Sequence, residues 1–147
     1  MIGNIKKPIN NNYKEVSYME DTKNEIDDYL HDAKHLCSLN KFHVSLNDKR
    51  KKNKRLRTKY IINDEITKNI IMDLEVEDFI EKTKNINKNF EKKDLYVFGK
   101  KVKLLERFGE EEKIVPLYIK INKYENRYMI FISFHEAEFE LNYFFDS

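Results

Sequence analysis

The chain has 147 residues, 40% hydrophobic and 37% charged, with 28 basic against 26 acidic side chains. That length suits one domain with a sizeable core. The formal net charge of +2 says little about partners, so any electrostatic footprint is local. A single cysteine, Cys37, excludes an internal disulfide, and three glycines form no phosphate-cradling loop or dinucleotide fingerprint. The first ten residues carry no apolar signal-peptide core. No apolar run approaches the ~20 residues of a membrane span. A cytoplasmic, membrane-free protein is expected.

Residues 1–20 are polar and without a clear period. They read as a poorly ordered arm, with a short extended piece near Val16 to Met19, ahead of a single domain over 21–147. A helix is predicted from about Thr22 to Leu39. Thr22 and Glu25 have capping-box spacing, and Ile26, Tyr29, Leu30, Ala33, Leu36, Cys37 and Leu39 make a helical apolar stripe. His31 and His35 stand four apart, a spacing that can hold a metal, but no third ligand is apparent and no metal is expected. Cys37 has apolar neighbours and reads as a buried thiol rather than a nucleophile.

Lys41 to Leu46 alternates like a strand. Residues 49–59 then carry the densest positive charge in the chain. A solvated helix face or mobile loop explains this stretch; a sequence-independent grip on phosphates explains it equally well. Asn63 or Asp64 caps a predicted helix to about Asp73 that buries Ile66, Ile70 and Ile71. A second helix is expected over about 76–83, burying Phe79 and Ile80, with Glu77 and Asp78 in its first turn. Residues 85–93 read as a polar loop, 94–103 as a strand with a turn at Gly99, and 107–113 as an acidic loop. Phe139 to Ser147 is a hydrophobic tail suited to covering a sheet edge or the core.

The last third reads as a β-hairpin, with strands near 117–122 and 128–138. If Leu117, Ile119 and Ile121 face the core with Ile130, Ile132 and Phe134, the pairs are 117 with 134, 119 with 132 and 121 with 130. Tyr118, Lys120, Phe131, Ser133 and His135 then share the other face, with Tyr118 opposite Ser133. Helices followed by gathered strands predict an α+β fold with N-terminal helices on a C-terminal antiparallel sheet.

The run Ile-Ser-Phe-His-Glu-Ala-Glu over 132–138 carries a resemblance, together with Tyr118 to Ile121, Tyr96 to Lys100, Ile70, Ile71, Leu74 and Glu77 to Phe79. Over roughly residues 26–138 the chain resembles the MqsR family of toxins from type II toxin–antitoxin systems, particularly its divergent Gram-positive members. The resemblance implies a RelE-like fold, ribosome-independent cleavage of mRNA, and neutralisation by a cognate antitoxin. It implies that Tyr118 stands for the family's strand tyrosine and His135 for its catalytic lysine. Where the family has a further lysine this chain has Glu81, with Lys82 beside it. The family's Trp-Gln pair falls near Tyr96 and Val97, so its glutamine is missing.

The residues themselves fit that chemistry. RNA cleavage without a metal uses the 2′-hydroxyl as nucleophile and needs a base, an acid and cations for the phosphorane charge. His135 is the candidate with an unperturbed pKa near neutrality. Lys120 and Tyr118 complete the catalytic candidates. Lys51, Lys52, Arg55, Arg57, Lys82, Lys100 and Ser133 are the candidate RNA-binding residues, and no cofactor is required. Two other readings fit the composition. One is a non-catalytic binding inhibitor from a phage or mobile element. The other is a DNA-binding regulator, which lacks a helix-turn-helix. The catalytic reading requires Tyr118, Lys120 and His135 to converge in an open groove.

Overall fold

The computed structural model describes the backbone of residues 2–84 and 94–146, and side chains from residue 14 onward. The described residues form an α+β fold of three helices and a mixed five-stranded sheet. In chain order these are α1 (Ile2–Ser38), β1 (Phe42–Val44), α2 (Lys51–Lys59), α3 (Asp64–Met72), a 3-10 turn (Val76–Asp78), β2 (Phe79–Lys84), β3 (Asp94–Leu105), β4 (Glu112–Tyr124) and β5 (Tyr128–Glu136). The sheet order is β1-β5-β4-β3-β2. β2 to β5 form an antiparallel meander, while β1 joins β5 in parallel, so the sheet is not purely antiparallel as expected.

The apolar stripe of α1 lies on one face of the sheet. Ile26, Leu30, Ala33, Leu36 and Cys37 are buried, and Tyr29 stacks on Tyr96 of β3 at 3.7 Å between ring centroids. Each large side chain so buried contributes roughly 1.5–3 kcal/mol. The helix begins about twenty residues earlier than its predicted cap. The arm expected over 1–20 is helical from Ile2, and Val16 to Met19 are helical rather than extended. Thr22 lies inside this helix. Its hydroxyl donates to the Tyr18 carbonyl at 2.8 Å instead of capping an N-terminus. Leu39, past the helix end, is exposed.

α3 starts where the sequence implies, with the Asn63 side chain accepting from the Ile66 amide at 2.8 Å. The second predicted helix is not formed. A single 3-10 turn is closed by the Asp78 carboxylate accepting from the Glu75 amide at 2.8 Å, and Phe79 then enters β2 opposite Phe98. Pairing with β3 outweighs the local helical pattern here. The polar loop predicted at 85–93 lies outside the described residues. Gly99 is not at a turn but in the middle of β3. A Cβ there would stand 2.8 Å from Ile80 Cδ1 and 2.9 Å from Leu141 Cδ2, so the glycine admits a close approach.

The β4–β5 register also departs from the expectation. Leu117 pairs with Glu136, Tyr118 with His135, Ile119 with Phe134 and Lys120 with Ser133; Ile121 then pairs with Phe131. Ile132 is the extra residue of a bulge. The bulge exchanges the faces of β5: Phe131 and Met129 enter the core with Phe134, while Ile130 and Ile132 remain half-buried. Strict alternation cannot reveal such an insertion.

β1 ends at Val44 and leaves the outer edge of β5 unpaired beyond it. The carboxamide of Asn53, from α2, takes over that edge. It donates to the carbonyls of Ile132 and Ser45, each at 2.9 Å, and accepts from the Phe134 amide at 2.9 Å. Asn53 is 1% exposed and Leu56, one helical turn on, is 2% exposed, so the two anchor α2 against β5.

After β5 the tail turns across the second face of the sheet, with the Ala137 amide donating to the Pro116 carbonyl at 2.8 Å. Leu141 lies over Gly99, and the Phe144 amide donates to the Phe79 carbonyl on the β2 edge at 2.9 Å. Phe144 and Phe145 pack on Phe79, with Tyr18 and Lys23 of α1 beside them. The tail thus covers the β2 edge and reaches the core.

Candidate active site

The second face of the sheet holds the residues that bear chemistry. A groove of about 540 Å³ is lined by Tyr118 and Lys120 of β4, Ser133 and His135 of β5, Lys52 of α2, and Glu81, with the tail as its far wall. Tyr118 and His135 are direct cross-strand partners, their rings stacked at 5.4 Å and 21°. The expected partner of Tyr118, Ser133, instead faces Lys120. The displacement from the expected register is two residues at this point, so each side chain keeps its face although its partner changes.

His135 Nδ1 lies 2.9 Å from the Glu136 carbonyl. A carbonyl only accepts, so Nδ1 carries the proton and Nε2 carries the lone pair in the neutral ring. Burial holds the imidazole below its usual pKa, and the Lys52 and Lys120 cations act in the same direction; the Glu136 carbonyl and the Glu138 carboxylate oppose them. Neutral pH therefore favours the unprotonated ring. Burial, with a contribution from the Glu81 carboxylate, raises the Tyr118 phenol, which keeps its proton and remains a hydrogen-bond donor. The Lys120 ammonium stands 6.0 Å from the centre of the Tyr118 ring.

The basic stretch divides. Lys52 reaches the groove, where Glu138 pairs with it at 3.0 Å. Arg55 and Lys59 line a smaller cavity of about 200 Å³ on the other side of His135, and Lys51 lines a third of about 310 Å³ at the start of α2. Arg57 does not join them. It is half-buried, where burial lowers its guanidinium pKa against the opposing pull of Asp64. Two further candidates lie on the opposite, α1-covered face. Lys82 pairs with Glu25 of α1 at 3.0 Å, and Lys100 pairs with Asp78 at 3.0 Å. Their ion pairs hold structure together and are remote from His135.

His31 and His35 are exposed on α1, and no group of three metal-ligating side chains occurs among the described residues. Cys37 is fully buried, and burial pushes its thiol up to about 11, as suits a core residue. Sequence reasoning passed over Asn53 and Glu138. Asn53, Leu56 and Tyr60 share a helical face in an otherwise basic run, which is the signal that marks Asn53 as inward-facing. Glu138 belongs to an irregular segment, where no period indicates direction.

No protein family, curated protein or solved structure matches the chain. Among the described residues no helix is long and apolar enough to cross a membrane.

Proposed function

We propose that the chain is the toxin of a type II toxin–antitoxin pair with a RelE-like, MqsR-related fold, a metal-independent endoribonuclease acting on mRNA in the cytoplasm. The observation that carries this reading is the convergence of His135, Tyr118 and Lys120 in one open groove, with an imidazole lone pair at Nε2. Its volume of about 540 Å³ falls in the range of small-molecule and nucleotide sites.

In this mechanism His135 Nε2 takes the proton of the 2′-hydroxyl. The 2′-oxygen attacks the adjacent phosphorus, and the bond to the 5′-oxygen breaks. Lys120 stabilises the phosphorane charge and gives a proton to the departing 5′-oxygen, while the Tyr118 phenol donates a hydrogen bond to a phosphoryl oxygen. The products are a 2′,3′-cyclic phosphate and a 5′-hydroxyl. Lys51, Lys52 and Arg55 supply positive charge along the strand's path.

His135→Ala should leave the fold intact, because the ring faces away from the core. It should lower RNA cleavage roughly a hundredfold or more. Growth arrest on expression without an antitoxin should vanish with it, and EDTA should leave the wild type active. Wild-type cleavage by His135→Ala, or its abolition by EDTA, overturns the mechanism.

A further inference from the structure

We propose that the first turn of α2 and the Ser133 hydroxyl form a second phosphate subsite, which holds the RNA phosphodiester next to the one attacked over His135. The inference rests on the endoribonuclease reading and adds a substrate contact to it. A cavity of about 310 Å³ lies between the start of α2 and β5, and Lys52, Ser133 and His135 line both it and the catalytic groove. The two cavities therefore adjoin at these residues.

Three features make this cavity an anion site. The opening amides of a helix have no intrahelical acceptor, and here the N-cap residue is Arg50, which makes no side-chain cap. The first turn contains no acidic residue. Its N–H groups and its positive dipole end are left for an external anion. Independently, Ser133 is 8% exposed and lines the cavity, yet its hydroxyl has no hydrogen-bond partner among the described residues. Lys49, Arg50 and Lys51 add cations around it. The one carboxylate on the rim, Asp48, is fully exposed to solvent and lies 3.3 Å from the Lys54 ammonium. Helix amides, a serine hydroxyl and cations are a donor set for phosphate.

Arg50→Asp and Arg50→Glu make the same change of charge, but only aspartate is short enough to cap the helix from its N-cap position. Inorganic phosphate is titrated into isotope-labelled full-length protein while the Lys51, Lys52 and Asn53 amide resonances are followed. Saturable shifts are expected in the wild type. Arg50→Asp should bind phosphate about tenfold more weakly than Arg50→Glu while melting no lower than it, and Ser133→Ala should lose several-fold. In parallel, an uncleavable 2′-deoxy dinucleotide should bind about tenfold more tightly when one end carries an added phosphate, and Arg50→Asp should remove that gain. Equal phosphate affinities for the two Arg50 variants, or no gain from a phosphate at either end, overturn the subsite. A wild type that binds phosphate here but leaves RNA intact overturns the endoribonuclease reading and with it the scissile neighbour, while the anion site stands.

Discussion

His135 is half-buried between cations, and its ring makes a hydrogen bond at Nδ1 that leaves Nε2 unoccupied. Its folded-state pKa lies below the unfolded value of 6.5. The unfolded chain therefore binds the proton more readily, and stability should fall as pH drops through 6.5 toward the folded value, then level off. Urea melts at about pH 7.5 and about pH 5.5 should show a larger loss for the wild type than for His135→Gln. An equal loss would mean that the ring gains its proton on folding as easily as in water. The rising limb of the cleavage rate should also lie below pH 6.5, where the base form is already populated. Parity along a strand made Tyr118, Lys120, Ser133 and His135 legible in the sequence, because each stays on its face through a two-residue displacement. Charge has no such periodicity. Lys82 and Lys100 look like any other lysines in sequence, and only their partners Glu25 and Asp78 reveal that they serve the α1 side.

At the scale of elements, the bulge at Ile132 and the carboxamide of Asn53 are one device. The bulge turns Phe131 and Met129 into the core, and Asn53 satisfies the backbone groups that β1 does not reach. Asn53→Ala strands the Ile132 carbonyl and the Phe134 amide, and each buried group left unpaired costs about 1–3 kcal/mol. Chemical denaturation should show a loss of roughly 3 kcal/mol, far above the effect of Lys54→Ala on the exposed face of the same helix. Comparable losses would remove the edge-capping role. The same geometry explains what sequence reading missed. An inserted residue breaks the period that register prediction relies on. A three-residue 3-10 turn followed by a strand shares its first apolar spacings with a helix. The N-terminal half of α1 has no apolar stripe by which to announce itself, whereas its C-terminal half and α3 follow their patterns closely.

At the scale of the whole molecule, the described cations divide between the two faces of the sheet. On the α1 face Lys82 and Lys100 are taken up in ion pairs; on the groove face Lys52 and Lys59 pair with Glu138 and Glu136, while Lys51 and Arg55 line the cavities that His135 also lines. Neutralising Lys51, Lys52 and Arg55 together should reduce the magnitude of the log–log salt slope for single-stranded RNA by roughly 2, about 0.7 for each phosphate that no longer meets a cation. Arg57→Gln should leave the slope unchanged. Filter-binding across a salt series checks both, and a slope that responds to Arg57 as strongly as to Lys52 would relocate the RNA path.

The parallel strand β1 has a consequence for how the protein comes apart. It spans only Phe42–Val44, and it joins a partner more than eighty residues away in sequence. The meander of β2 to β5 is built from neighbours along the chain, whereas the β1–α2 segment is held by one brief ladder, Asn53, a few apolar side chains, two exposed ion pairs and, at the end of α2, a bridge from Tyr60 to Glu106 with the Arg107 amide donating to the Lys59 carbonyl at 2.8 Å. Contacts of such long sequence separation are costly to close and form late. The β1–α2 segment is thus expected to be a separate cooperative unit that opens at lower free energy than the meander. Amide hydrogen exchange should show α2 and Ser45 exchanging before the central residues of β3 and β4, and RNA binding should fail on warming before the main melting transition. His135, Tyr118 and Lys120 stand on one unit and the first turn of α2 on the other, so under the proposed function RNA cleavage depends on their docking, and a substrate spanning both would act as the clasp that keeps them together.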